Sequence, residues 1–213
     1  MTRAQRRSLE KYWEIYGILG EGPVDIDSSF GRQVPRFLEI GFGMGGALLA
    51  MAEGRPEHDF LGVDVFEPGI GHLLGQVAKS QLNNIRLLRG DAVDVLKARL
   101  PEACLDGVYL YFPDPWPKKR HHKRRLLQPP FISLVARCLR PGAGFLMATD
   151  WEDYAHHMLQ VMEAQSGWEN QAGSGNFLPR PADRPLTKFE RRGQRLGHQV
   201  WDLGFRWGPH ETV

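Results

Sequence analysis

Between Arg36 and Thr149 short apolar runs alternate with longer stretches whose apolar residues recur at helical spacing. Arg36–Ile40, Phe60–Val65, Ile85–Arg89, Leu105–Phe112 and Gly144–Thr149 are short, rich in β-formers and read as strands; Gly45–Ala52, Ile70–Leu82, Ala92–Leu100, Phe131–Leu139 and Trp151–Gln165 read as helices. This alternation predicts βαβ units, and hence a doubly wound α/β fold with a mostly parallel sheet covered on both faces. Ser166–Pro185, rich in Gly, Asn and Pro, reads as a loop, and Arg184–Arg191 with His198–Phe205 as a C-terminal antiparallel hairpin. Thr2–Ile18 sets Arg3, Arg6, Arg7 and Lys11 among Leu9, Tyr12 and Trp13, as an amphipathic arm or a frayed extension would. The chain divides on this reading into an N-terminal basic arm (1–30) and a single domain (31–213).

Composition narrows the class. At 213 residues and 42% hydrophobic content, one domain with a three-layer core is expected. Cys104 and Cys138 have no metal-ligand or redox-motif spacing, so buried free thiols and no metal are expected. No apolar run approaches membrane-spanning length and Met1–Arg7 lacks a secretory core, which predicts a cytoplasmic protein without a membrane partner. The net charge of +2 gives no global field for nucleic acid, but the cations are unevenly placed.

Phe37–Gly46 (FLEIGFGMGG) is a strand, a glycine turn and a helix start, where backbone can approach a ligand closely at a positive helix end. Gly41, Gly43 and Gly46 fit a dinucleotide pattern, and Asp64 ends the next strand where a ribose-binding acid is expected. Glu39 decides between cofactors: a carboxylate beside the loop repels a pyrophosphate but attracts the cationic methionine end of S-adenosylmethionine. Asp91, after the third strand and before Ala92, has two readings, a cap on the following helix or an acceptor for an adenine amino group, and the second is preferred.

Phe112-Pro-Asp114-Pro-Trp116-Pro-Lys118 follows the fourth strand. Its prolines stiffen the backbone around Asp114 at the sheet edge where α/β proteins bind ligands. Lys118–Arg125 then places six Lys/Arg and two His in eight positions, a footprint for phosphates, and Arg184, Lys188, Arg191, Arg192 and Arg195 form a second cluster around Phe189. Asp150 follows the fifth strand, as a base-reading acid or as a cap for the Trp151 helix.

The blocks LEIGFGMGG, GDAVDVL, YFPDPWPKKRHHKRRL, MATDWEDYA and TKFERRGQRLGHQVWDL resemble the bacterial tRNA (guanine-N7)-methyltransferase family over nearly the whole chain. The resemblance implies a Rossmann-like S-adenosylmethionine-dependent fold that methylates N7 of a variable-loop guanine in tRNA, with no obligate protein partner. It implies cofactor-binding roles for Glu39, Gly41, Gly43, Asp64, Asp91, Ala92 and Asp114, with Asp114 also catalytic. Substrate-binding roles fall on Lys118, Asp150, Thr187, Lys188, Phe189 and Glu190. Asp64 departs from the family's usual Glu, which implies a longer or water-mediated ribose contact. A non-catalytic tRNA-binding module and a methyltransferase for another substrate are the alternative readings.

Overall fold

The computed structural model describes residues 1–186, 190 and 199–208. The predicted strands form as β1 (Arg36–Ile40), β2 (Asp59–Asp64), β3 (Ile85–Arg89), β4 (Leu105–Tyr111) and β5 (Leu139–Thr149), and these five run parallel. Two further strands, β6 (Trp168–Asn170) and β7 (Trp201–Trp207), complete a sheet of order β3-β2-β1-β4-β5-β7-β6 among the described residues. β7 is antiparallel to both β5 and β6.

The expected antiparallel pair therefore exists, with a different partner. Arg184–Leu186 carries no strand and Glu190 is helical, while the remaining residues expected in that strand lie outside the described residues. β6 comes instead from the Gly- and Asn-rich stretch read as a loop. Its Trp168 packs 5.2 Å from Trp207 and 6.0 Å from Phe145, ring centre to ring centre. Aromatic burial across strands outweighs a turn-rich local composition there.

Helices α1 (Arg3–Tyr16), α3 (Gly46–Gly54) and α4 (Glu67–Lys79) cover one face of the sheet. The other face carries α2 (Ile26–Phe30), the short α5 (Ala92–Asp94) with its π-turn Val95–Arg99, α6 (Pro129–Cys138) and α7 (Glu152–Glu163). α4 starts a turn earlier than its apolar periodicity predicts, because Pro68 suits the first turn of a helix. α1 is ordered by packing: it lies along α4 with Gln5 over Gly71 and Ser8 over Gly75, so the two helices run parallel. A Cβ on Gly71 would fall 2.3 Å from the Gln5 carbonyl oxygen, which is why the helices can approach so closely. No helix among the described residues is long and apolar enough to cross a membrane.

Candidate active site

The strand order reverses between β1 and β4, and the crevice beyond their carboxyl ends gathers the residues of interest. After β1 the chain turns through Gly41, Gly43 and Gly45, all at positive φ (70°, 56° and 75°), before α3 begins. Asp64, at the end of β2, holds this turn: its Oδ2 accepts from the Gly43 N–H at 2.7 Å and its Oδ1 from the Phe66 N–H at 2.8 Å. α4 presses on the same loop at Gly69, where a Cβ would sit 1.9 Å from the Gly43 carbonyl oxygen.

Glu39 is buried on β1, between Gly62 of β2 and Tyr109 of β4. One hydrogen bond reaches it from the Leu48 N–H, while its Oε2 is buried without a partner. Burial, reinforced by the negative charge of Asp64, pushes its carboxyl up to about 8. A group so placed fits a cation: a positive ligand in the crevice would supply the missing counter-charge and favour the ionised form. S-adenosylmethionine meets that requirement with its sulfonium and ammonium groups.

Asp91 takes the capping position. Its Oδ1 accepts from the Val93 and Asp94 N–H groups at 2.8 and 3.4 Å, directly before Ala92 opens α5. The preferred adenine reading thus meets a carboxylate already partly engaged.

Asp114 is exposed in a turn held at both ends. Phe112 and Trp116 both adopt positive φ, 54° and 46°, unusual for such bulky residues, and the Phe112 N–H donates to the Ala148 carbonyl at 2.7 Å. Strain of this kind persists where the surroundings over-determine it. Lys118 leads into a 3₁₀ helix, Lys119–Arg124, whose Arg124 guanidinium lies 5.0 Å from the Trp116 ring centre. Lys119, Arg120, Lys123 and Arg124 are exposed, whereas Arg125 turns inward.

Asp150 does not cap α7. The cap position falls on Trp151, whose N–H donates to Thr149 Oγ1 at 3.2 Å. No hydrogen bond or ion pair among the described residues engages Asp114 or Asp150, which follow the adjacent strands β4 and β5. Glu190, by contrast, is buried and heavily engaged. It accepts from Arg180 Nε and from both terminal nitrogens of Arg184, all at 2.8 Å. Burial alone would raise its carboxyl, yet these two guanidinium groups hold it below the ordinary carboxylate range. Arg184 also bonds Asp202 on β7 and lies over the rings of Tyr111 and Phe112, at 5.9 and 5.8 Å. Thr187, Lys188 and Phe189 lie outside the described residues.

Sequence reasoning counted Arg125 and Arg184 among the phosphate-facing cations, whereas both are buried and paired with carboxylates, and it missed Gly69. The two arginines carry no local sign that distinguishes them from their exposed neighbours. Gly69 follows Pro68 at a helix start, which marks a boundary but not a contact.

A glycine turn after β1, an acid ending β2 and a buried acid without a counter-charge suit a methyltransferase on a doubly wound sheet, and the family match places the chain in that class. Residues 33–203 match the family described as "Putative methyltransferase". Solved structures agree in fold: the 16S rRNA methyltransferase KamB has a TM-score of 0.64 at 19% identity, covering 86% of this chain and 94% of that one. A 16S rRNA (adenine(1408)-N(1))-methyltransferase from Catenulisporales acidiphilia has 0.57 at 16%, covering 92% and 98%.

Sequence relatives are much nearer. The tRNA (guanine-N(7)-)-methyltransferase of Ectopseudomonas mendocina is 54% identical over 97% of this chain and 87% of its own length. That of Serratia proteamaculans is 50% identical over 96% and 86%. The chain belongs to the tRNA (guanine-N(7)-)-methyltransferase family.

Proposed function

We propose that the protein transfers a methyl group from S-adenosylmethionine to N7 of a variable-loop guanine in tRNA. The observation that carries this reading is the pairing of two unengaged carboxylates, Asp114 and Asp150, at adjacent strand ends, with exposed cations immediately beyond. When bound, S-adenosylmethionine supplies a methyl group activated by a sulfonium. Glu39 supplies counter-charge to its methionine end, the turn at Gly41–Gly43 gives it backbone room, and Asp64 meets the ribose. Asp91 and Ala92 border the adenine, where Asp91 has its second oxygen to offer.

Guanine N7 carries no proton and presents an in-plane lone pair, so attack requires no general base; catalysis rests on placement and electrostatics. As the purine becomes cationic, the fixed carboxylate of Asp114 stabilises the growing charge. Guanine also offers N1–H and N2–H₂ donors to one carboxylate, a pattern adenine lacks. Asp150 is the better reader of that edge, because both oxygens of Glu190 already accept from arginines. Glu190 then joins Arg180 to Arg184, and Thr187, Lys188 and Phe189 meet the RNA on this reading.

Lys118, Lys119, Arg120 and Lys123 bind phosphate and position the tRNA without reading its sequence. The parallel docking of α1 on α4 brings exposed Arg3, Arg6 and Arg7 to the same sheet edge, so the basic N-terminal segment extends that surface. Nucleoside analysis of tRNA incubated with the protein and labelled S-adenosylmethionine tests the reading. Label in 7-methylguanosine is expected. Label in another nucleoside, or none, overturns it.

A further inference from the structure

The basic run after Asp114 contains one residue that does not face solvent. Arg125 has a side chain only 1% exposed, although it ends a segment of six basic residues. Its Nε donates to the Pro115 carbonyl oxygen at 2.9 Å, one residue from Asp114. Its Nη2 bonds the carboxylate of Asp153, in the first turn of α7 and three residues from Asp150, and lies 3.1 Å from His122 Nε2. The guanidinium rests 4.8 Å from the ring centre of Tyr154, whose hydroxyl oxygen accepts from the Leu127 N–H at 3.3 Å.

Both polar anchors of this guanidinium are placed with respect to a proposed site carboxylate. Pro115 belongs to the turn that presents Asp114, and Asp153 to the turn that follows Asp150. Arg125 is the side chain that joins them. A planar guanidinium suits this task, because its donors lie in one rigid fork and can hold a carbonyl and a carboxylate at a set spacing. An ammonium on a flexible stem offers one point of attachment. Burial over Tyr154 shields the guanidinium and its bond to the Pro115 carbonyl from water, while the Asp153 carboxylate at the other end stays exposed.

We propose that Arg125 is a positioning residue, which sets the distance between the Asp114 and Asp150 carboxylates by clamping the β4 turn to the start of α7. The run from Lys118 to Arg125 then has two jobs: its exposed cations meet phosphate, and its last member fixes the chemistry. Because transfer to N7 depends on placement rather than on a base, loosening this clamp lowers the rate of the chemical step far more than it weakens cofactor binding, which Glu39, Asp64 and Asp91 carry outside the clamp. The inference rests on the guanine-N7 reading above.

The test compares wild type, Arg125→Met, Arg125→Lys, Asp114→Asn and the Arg125→Met/Asp114→Asn double variant in single-turnover methylation with tRNA and S-adenosylmethionine saturating. Thermal melting and calorimetry with S-adenosylhomocysteine report folding and the cofactor site. Arg125→Met is expected to slow transfer roughly tenfold to a hundredfold, the scale of a misplacement near 1 Å, with product affinity within about twofold of wild type. Arg125→Lys is expected to fall nearly as far. In the Asp114→Asn background the further loss should be less than about threefold, since Arg125 acts through Asp114. A wild-type rate in folded Arg125→Met, or a full additional loss in the double variant, overturns the proposal. Should Arg125→Met fail to fold, Asp153→Ala cuts the same clamp at an exposed residue: a slowed rate supports the proposal and an unchanged one sinks it. If wild-type protein itself makes no 7-methylguanosine, the functional reading fails rather than the clamp.

Discussion

Glu39→Gln separates what the buried acid does for the fold from what it does for the cofactor. The carboxyl is pushed up to about 8 from an ordinary value of 4.5. Below the unfolded value both states hold the proton and the acid makes no difference. Between the two values the unfolded chain ionises while the folded one keeps its proton, so stability falls as pH rises, by about 1.4 kcal/mol per pH unit. Above about 8 the loss is complete. The full interval corresponds to a ceiling of about 5 kcal/mol, and relaxation around an ionised group brings the expected loss to about 2–4 kcal/mol. Glutamine has nearly the same volume, accepts the Leu48 bond and carries no charge. Urea unfolding of the cofactor-free protein from pH 5 to 9 should therefore show the two proteins alike at pH 5, with the variant more stable by about 2–4 kcal/mol at pH 8 and above. The same variant should lose about 1.5–3 kcal/mol of S-adenosylmethionine affinity by calorimetry, the scale of a hydrogen bond to a charged group. A stability difference independent of pH would show that Glu39 is ionised without penalty. Intact cofactor affinity would remove the acid from the site.

Further outcomes follow from the same geometry. Asp114→Ala should slow single-turnover methyl transfer roughly a hundred- to a thousandfold with tRNA saturating, as for loss of one preorganised charge; an unchanged rate leaves Asp114 a turn residue. Gly69→Ala should push the Gly43 carbonyl and destabilise the protein by about 1–3 kcal/mol while weakening cofactor binding, readable by melting with and without S-adenosylhomocysteine; wild-type values for both would mean that the loop yields freely. Replacing Lys119 and Arg120 with Gln should weaken all tRNAs alike and flatten the slope of log affinity against log salt by roughly 0.7–0.9 for each phosphate that the variant no longer neutralises. A wild-type slope would mean that the run is only solvated surface. Asp150→Asn should leave that slope intact but narrow the preference for guanine over adenine at the target position, measured with substituted tRNA; undiminished preference would return the reading of the base edge to another group.

Periodicity alone carried the alternation of β1 to β5 with their helices, because apolar spacing is a local property of the chain and the sheet is buried on both faces. It also carried the places of Glu39, Asp64, Asp114 and Asp150, since an acid directly after or within an apolar run falls near a strand end whatever packs around it. The tertiary structure decided the rest. That β6 lies in a glycine-rich stretch, and not in Arg184–Leu186, depended on Trp168 meeting Phe145 and Trp207, residues distant along the chain. Asp91 caps its helix although the sequence reading preferred the adenine role, and Asp150 leaves the cap position to Trp151, whose N–H meets the Thr149 hydroxyl; which acid turns to its helix depends on how neighbouring groups pack. Arg125 differs from Arg124 by nothing written nearby in the sequence; only the fold brings Pro115, Asp153 and Tyr154 around one of them and leaves the other in water. Burial of a charge is a property of the whole surrounding structure, so the difference between a phosphate ligand and a clamp cannot be read from one segment.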